Sequence, residues 1–227
     1  MNQESVLKIL DSLYTQSLDG IPHVSPTIEE FASDYLEKHP NPKIAAKSMF
    51  KHQIVKCTTS GVVTGLGGFI TLPVAIPANI GSVLYVQMRM IACAAYMGGH
   101  DVRSDQVQTF IYACLAGVSI NKVVKRFGVE FGQKIATKGI QRIPGKVITQ
   151  INQKIGFRLL TKFGKTGLVN LGKMVPVVGA GINGGLDLIE TKAIAKRAYK
   201  MFVENDYSVG EDVIDFADLE IVDEQSE

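Results

Sequence analysis

The chain has 227 residues, 46% apolar, with no Trp and a formal net charge of +2. That is enough chain for one domain with a sizeable core, and the apolar content excludes the composition of a disordered protein. Abundant glycine (22) and few aromatics (7%) argue for helices packed closely through small residues and against a sandwich with an aromatic core.

Residues 2–18 predict an amphipathic helix with Val6, Ile9, Leu10, Leu13 and Tyr14 on one face. A loop follows over Ile21–Pro26. Thr27 is placed to cap a second helix, with Glu29 and Glu30 in its first turn, running to about Lys38. Pro42 suits the first turn of a third helix that continues through Ile54. From Cys57 to Met88 no residue is charged. The run is longer than the ~20 residues a bilayer needs, but Gly65, Gly67, Gly68, Pro73 and Pro77 interrupt it. Two helices meeting at an elbow near Leu72–Ile80 are expected, either as a membrane-entering hairpin or as buried soluble helices. The second helix ends at Gly98-Gly99, and Ser104 is placed to cap the next, from Asp105 to about Ile120. Basic helices follow over roughly 121–138 and 142–164. Another Gly/Pro elbow covers Gly172–Gly185 and includes Pro176, Gly179 and Gly181. The last long helix runs from about Leu186 to Val203. No strand alternation with hairpin turns occurs, so the fold class is all-α, a helical bundle. Its expected divisions are an N-terminal helical segment (1–40), a main domain (41–203) and an acidic tail (204–227).

The small net charge conceals segregation. Residues 121–173 hold twelve Lys or Arg against the single acid Glu130, and residues 203–227 hold ten acids and no base. Residues 1–56 nearly balance, with six bases and seven acids. The basic stretch contributes Lys122, Lys125, Arg126, Lys134, Lys138, Arg142, Lys146, Lys154, Arg158, Lys162 and Lys165. Apolar residues at helical spacing over 147–160 accompany them. Such a helix can lie on anionic lipid, its charges drawn to headgroups at about 1 kcal/mol each and its stems snorkelling. The bland alternative is a solvated basic face over a core. The opposed charge of the tail suggests that it masks the basic stretch, against the simpler reading of a solvating tail.

Shifting the chain by 103 positions aligns Pro73 with Pro176, Gly81 with Gly184 and Arg89 with Lys192. It also aligns Ile91 with Ile194, Ala92 with Ala195, Ala95 with Ala198 and Tyr96 with Tyr199. Two elbow-plus-helix units packed about a pseudo-axis would account for this. Asp187 and Glu190, one helical turn apart, could then meet Arg89 in a polar cluster, with ordinary ion pairing as the bland alternative.

The segments Gly67-Gly68-Phe69-Ile70-Thr71-Leu72-Pro73-Val74-Ala75-Ile76-Pro77, Gln87-Met88-Arg89-Met90-Ile91-Ala92 and Gly99-His100-Asp101 resemble the EcsC protein family. Val175-Pro176-Val177-Val178-Gly179 and Asp187 resemble its second motif. The resemblance covers about residues 45–205. It implies a bacterial protein in a membrane or export context associated with an ABC-transporter operon. No catalytic residue carries over from it.

Enzyme chemistry finds little support. Gly164-Lys165-Thr166 imitates the end of a P-loop, but the required earlier glycine is Leu159 and no strand precedes it. Gly179-Ala180-Gly181-Ile182-Asn183-Gly184 follows an elbow, not a strand, which favours helix packing over dinucleotide binding. The four histidines and three cysteines show no metal-site spacing, so no metal or cofactor is expected, and the cysteines read as buried reduced thiols. Nucleic acid is not expected, because aromatic stacking platforms and known binding motifs are lacking. The absence of a signal peptide over residues 1–20 leads to an expected cytoplasmic location, peripheral to or hairpin-inserted at the inner face of the cytoplasmic membrane. The reading carried forward is a non-enzymatic membrane-associated protein of transport, secretion or envelope function, with an anionic membrane surface and a membrane protein as partners. The alternatives are a ligand-binding protein or enzyme with a pocket between the elbows, and a pore-forming effector.

Overall fold

The computed structural model describes residues 3–58, 70, 78–125, 137–163 and 181–207. The described residues form an all-α fold: α1 (Gln3–Asp19), α2 (Ile28–Lys38), α3 (Pro42–Thr58), α4 (Ala78–Met97), α5 (Asp105–Ala116), α6 (Ile120–Val124), α7 (Thr137–Ile140), α8 (Gly145–Phe163) and α9 (Gly181–Ala198). A π-helical turn, Tyr199–Val203, continues α9. No strand occurs among these residues, and one isolated bridge between Ile21 and Ser25 closes the first loop.

The axis of the bundle is α4. A surface helix has one apolar stripe, but from Gly81 to Met97 α4 is buried on nearly every side. Its run Ala92-Cys93-Ala94-Ala95 is small, which lets neighbouring backbones approach closely. Around it stand α1, α2, α3, α9 and α5 in that order, each packed on α4 and on the next, and α8 is laid across α1 and α5. The predicted face of α1 is the face that packs: Val6, Ile9, Leu10, Leu13 and Tyr14 are all buried. Each such side chain contributes about 1.5–3 kcal/mol by leaving water.

Residues 1–40 share one core with the rest of the bundle, since Leu13, Ile28 and Ala32 belong to the same buried cluster as Met90 and Ile91. Packing also runs past residue 203. Tyr207 is 1% exposed, and its ring meets that of Phe110 edge-on at 5.6 Å. The packed unit therefore extends into the segment assigned to the acidic tail.

The starts of α2 and α3 follow the sequence, the cap at Ser104 does not form, and α9 begins at Gly181, inside the expected Gly172–Gly185 elbow and ahead of the expected start near Leu186. Thr27 and Glu30 form a capping box, Thr27 Oγ1 accepting from the Glu30 amide and Glu30 Oε2 from the Thr27 amide. Asn41 Oδ1 accepts from the Ile44 amide and caps α3, leaving Pro42 in the first turn where its missing N–H costs nothing. Ser104 occupies the N-cap position of α5, but its hydroxyl turns back to donate to the Asp101 carbonyl oxygen at 2.7 Å and makes no cap bond.

The elbow residues Gly67, Gly68, Pro73, Pro77, Pro176 and Gly179 lie outside the described residues, and Gly181 opens α9. Among the described residues no helix is long and apolar enough to cross a membrane. Of the residues matched by the 103-position shift, Ile91 and Ile194, and Ala95 and Ala198, are fully buried on helices that pack against each other, whereas Arg89 is buried and its counterpart Lys192 is half-buried.

Candidate functional site

The basic stretch centres on α8. Its apolar residues Val147, Ile148, Ile151, Ile155 and Leu159 recur at helical spacing and are all buried against α1 and α5. This corrects the expectation that the apolar stripe of this helix lies on lipid. Burial of Ile151 and Ile155 in the protein core stabilises the bundle and removes them from any outside surface. What faces outward is cationic. Arg142 and Lys146 are exposed, Lys154 and Arg158 are half-buried, and Lys125 at the end of α6 is exposed. Between Glu130 and Asp187 the sequence contains no acid.

One apolar residue departs from the inward pattern. Phe157, two residues beyond Ile155 and so turned to the other side of the helix, is 61% exposed between Lys154 and Arg158. Arg126, Lys134 and Lys165 lie outside the described residues, as do the side chains of Lys122, Lys138 and Lys162.

Arg158 is drawn partly toward the fold. Gly117 ends α5 in the left-handed region (φ 66°), and its amide donates to the Ala113 and Cys114 carbonyls. A Cβ on Gly117 would lie 3.2 Å from Arg197 Nη1 and 3.5 Å from Arg158 Nη2. Arg197 Nε donates to the Cys114 carbonyl oxygen at 3.1 Å. Two guanidinium groups thus converge on the negative end of α5, where a helix favours cations. Burial pushes the Cys114 thiol up to about 11, against the opposing pull of Arg197. With Cys57 and Cys93 it is a buried free thiol.

The expected polar cluster is not centred on Arg89. That guanidinium points away from α9: Nη1 donates to the Ser17 carbonyl at 3.0 Å, and Nη2 to those of Pro26 at 2.5 Å and Thr27 at 3.4 Å. It also stacks 4.7 Å from the Phe31 ring centroid. Arg89 therefore joins the end of α1 to the start of α2, and burial lowers its pKa. The α4 side chain directed at α9 is Gln87, whose Nε2 donates to Thr191 Oγ1 at 2.9 Å, and residues two apart on a helix face nearly opposite ways. Glu190 is half-buried, and the Asp187 side chain lies outside the described residues.

At the far end of α4, His100 Nε2 meets the Phe202 carbonyl oxygen at 3.1 Å. Gly98 lies so close that a Cβ there would be 2.0 Å from the same oxygen. The segments 87–92 and 98–101 thus tie α4 to α1, α2, α9 and the π-helical turn. A family model described as the EcsC protein family matches residues 15–203. The chain belongs to the EcsC protein family. Comparison with curated proteins and with solved structures returns no match. The EcsC match begins in the last turns of α1, taking in Ser17, and covers all of α2, in keeping with the hold of Arg89 on both. Among the described residues no group of His, Cys, Asp or Glu is arranged to hold a metal ion.

A second basic surface was not legible in the segment charges. Helix α3 carries Lys43, Lys47, Lys51 and Lys56, all exposed, and no acid. Ile44 and Val55, 43% and 56% exposed, share its outer side, while Ala45, Ala46, Met49, Phe50, Gln53 and Ile54 face the core. Counting residues 1–56 together averaged these lysines with the acids of α1 and α2. A window confined to the helix would have found them.

Proposed function

We propose that this EcsC protein is a non-enzymatic peripheral membrane protein that binds anionic lipid surfaces through the outer side of α6–α8. The observation that carries the reading is Phe157, a largely exposed aromatic ring set between Lys154 and Arg158 in an acid-free stretch. Phe157 is the most exposed of the large apolar side chains among the described residues. At a bilayer interface the ring enters the headgroup boundary while Lys125, Arg142, Lys146 and Lys154 engage anionic headgroups. Each basic side chain near the surface adds about 1 kcal/mol, so four suffice for reversible attachment and the interaction weakens with salt. Attachment is through the charged outer side of α8, with its apolar stripe kept in the core. The transport, secretion or envelope context implied by the family resemblance would place a membrane protein as the next partner.

Cosedimentation of the full chain with phosphatidylcholine vesicles, with and without phosphatidylserine, tests this. Binding should require phosphatidylserine, fall as salt is raised, and drop about tenfold in a Phe157→Ser, Lys146→Glu variant. Equal recovery with neutral and anionic vesicles, or no recovery with either, would overturn it.

A further inference from the structure

The outer side of α3 repeats the chemistry of the α8 surface on the opposite flank of the bundle. Lys43, Lys47 and Lys51 follow one another at four-residue spacing and form a single exposed ridge with Val55. Like charges at this spacing weaken a helix, and α3 contains no acid to relieve them. Lys47 lies over the Tyr199 ring, 5.7 Å from its centroid, so the ridge is anchored to the π-helical turn. Ile44 and Val55 remain exposed beside these cations. Because α4 is ringed by α1, α2, α3, α9 and α5 with α8 across α1 and α5, α3 stands across α4 from α8.

We propose that the α3 ridge is a second anionic-membrane surface, so that one molecule attaches to two bilayers at once and holds them together. The occupant is an anionic lipid surface because Lys43, Lys47 and Lys51 form an exposed row of cations with no acid among them, the charge that draws a basic surface to anionic headgroups, and Ile44 and Val55 stand exposed beside it. The proposal rests on the α8 reading, since bridging needs both surfaces.

The test measures binding and clustering separately. Cosedimentation with phosphatidylserine-containing vesicles reads attachment, and light scattering of the same mixtures reads clustering. The native chain should bind and cluster the vesicles. A Lys43→Glu, Lys51→Glu variant, which spares Lys47, should keep binding through α8 while clustering falls about tenfold or more. An Ile44→Ser, Val55→Ser variant should reduce clustering without reversing any charge, and circular dichroism should show native helix content in both. Clustering that survives these substitutions overturns the proposal, because dimers joined with both α8 surfaces outward would then explain it. Binding by the native chain without clustering also overturns it. Failure of the native chain to bind at all removes the α8 reading itself, which makes the two failures distinguishable.

Discussion

His100 and Phe202, 102 residues apart in the chain, are joined by a contact of 3.1 Å between His100 Nε2 and the Phe202 carbonyl oxygen. A carbonyl only accepts, so Nε2 carries the proton of the neutral ring, and Nδ1 is buried with no hydrogen-bond partner among the described residues. Protonating Nδ1 would bury a charged donor with nothing to receive it. Burial accordingly lowers the His100 pKa, against the smaller opposing effect of the Phe202 carbonyl. The unfolded chain protonates this side chain near its ordinary value of about 6.5, so it binds more protons than the folded chain just below that pH. The contribution to stability is complete above about pH 6.5 and is lost as pH falls through the lower folded value. Urea unfolding followed between pH 8 and pH 5 should show stability declining over that window. In His100→Gln, which can still donate to Phe202, the decline should be shallower. An unchanged slope would remove His100 as its source.

Gly98 and Gly99 adjoin this contact but are constrained differently. Gly98→Ala drives a methyl group into the Phe202 carbonyl oxygen and should destabilise the protein by about 2–3 kcal/mol. Gly99 has φ 79° with open space around it, so Gly99→Ala meets only the left-handed backbone penalty, about 1 kcal/mol. Thermal unfolding of the two variants should rank them in that order.

Arg89→Ala should be among the most destabilising single changes, at about 3–5 kcal/mol. It leaves the carbonyls of Ser17, Pro26 and Thr27 without their shared donor and empties a buried site. Arg89→Lys should recover only part of this, because an ammonium lacks the planar fork that reaches α1 and α2 together. Full recovery by lysine would show that charge alone is required.

Two residues on α8 should separate folding from surface attachment. Ile151→Ala should cost about 2–4 kcal/mol in chemical denaturation, since Ile151 is fully buried. Phe157→Ser should change stability by no more than about 0.5 kcal/mol while weakening capture by anionic vesicles. The opposite assignment would mean that Phe157 belongs to the packing.

Two truncations test where the packed unit ends. Removing residues 204–227 deletes Tyr207 from its buried place on Phe110 and should lower the melting temperature. Removing only residues 208–227 keeps Tyr207 and takes away eight acids and no base. It should leave the melting temperature near native and strengthen binding to anionic vesicles. Unchanged binding would dismiss the tail as a mask.

The sequence by itself determined the all-α class, the apolar face of α1, the start of α2 at Thr27, the end of α4 at Gly98-Gly99 and the family. These rest on local rules: apolar spacing, capping chemistry and breakers act within a few residues of each other. Only the tertiary structure decided which way each amphipathic helix turns. The spacing of Val147, Ile151 and Ile155 is the same whether the stripe meets lipid or protein, and α1 and α5 supply the protein surface. Arg89 was linked to Glu190 by a shared repeat, yet one guanidinium reaches only one side of α4, and the carbonyls at the end of α1 and the start of α2 are on that side. The lysines of α3 became a surface only when Ala45, Ala46, Met49 and Phe50 turned to the core and left Lys43, Lys47 and Lys51 together outside. Residue order fixes what each helix can bury, and the neighbours it meets fix what it leaves exposed.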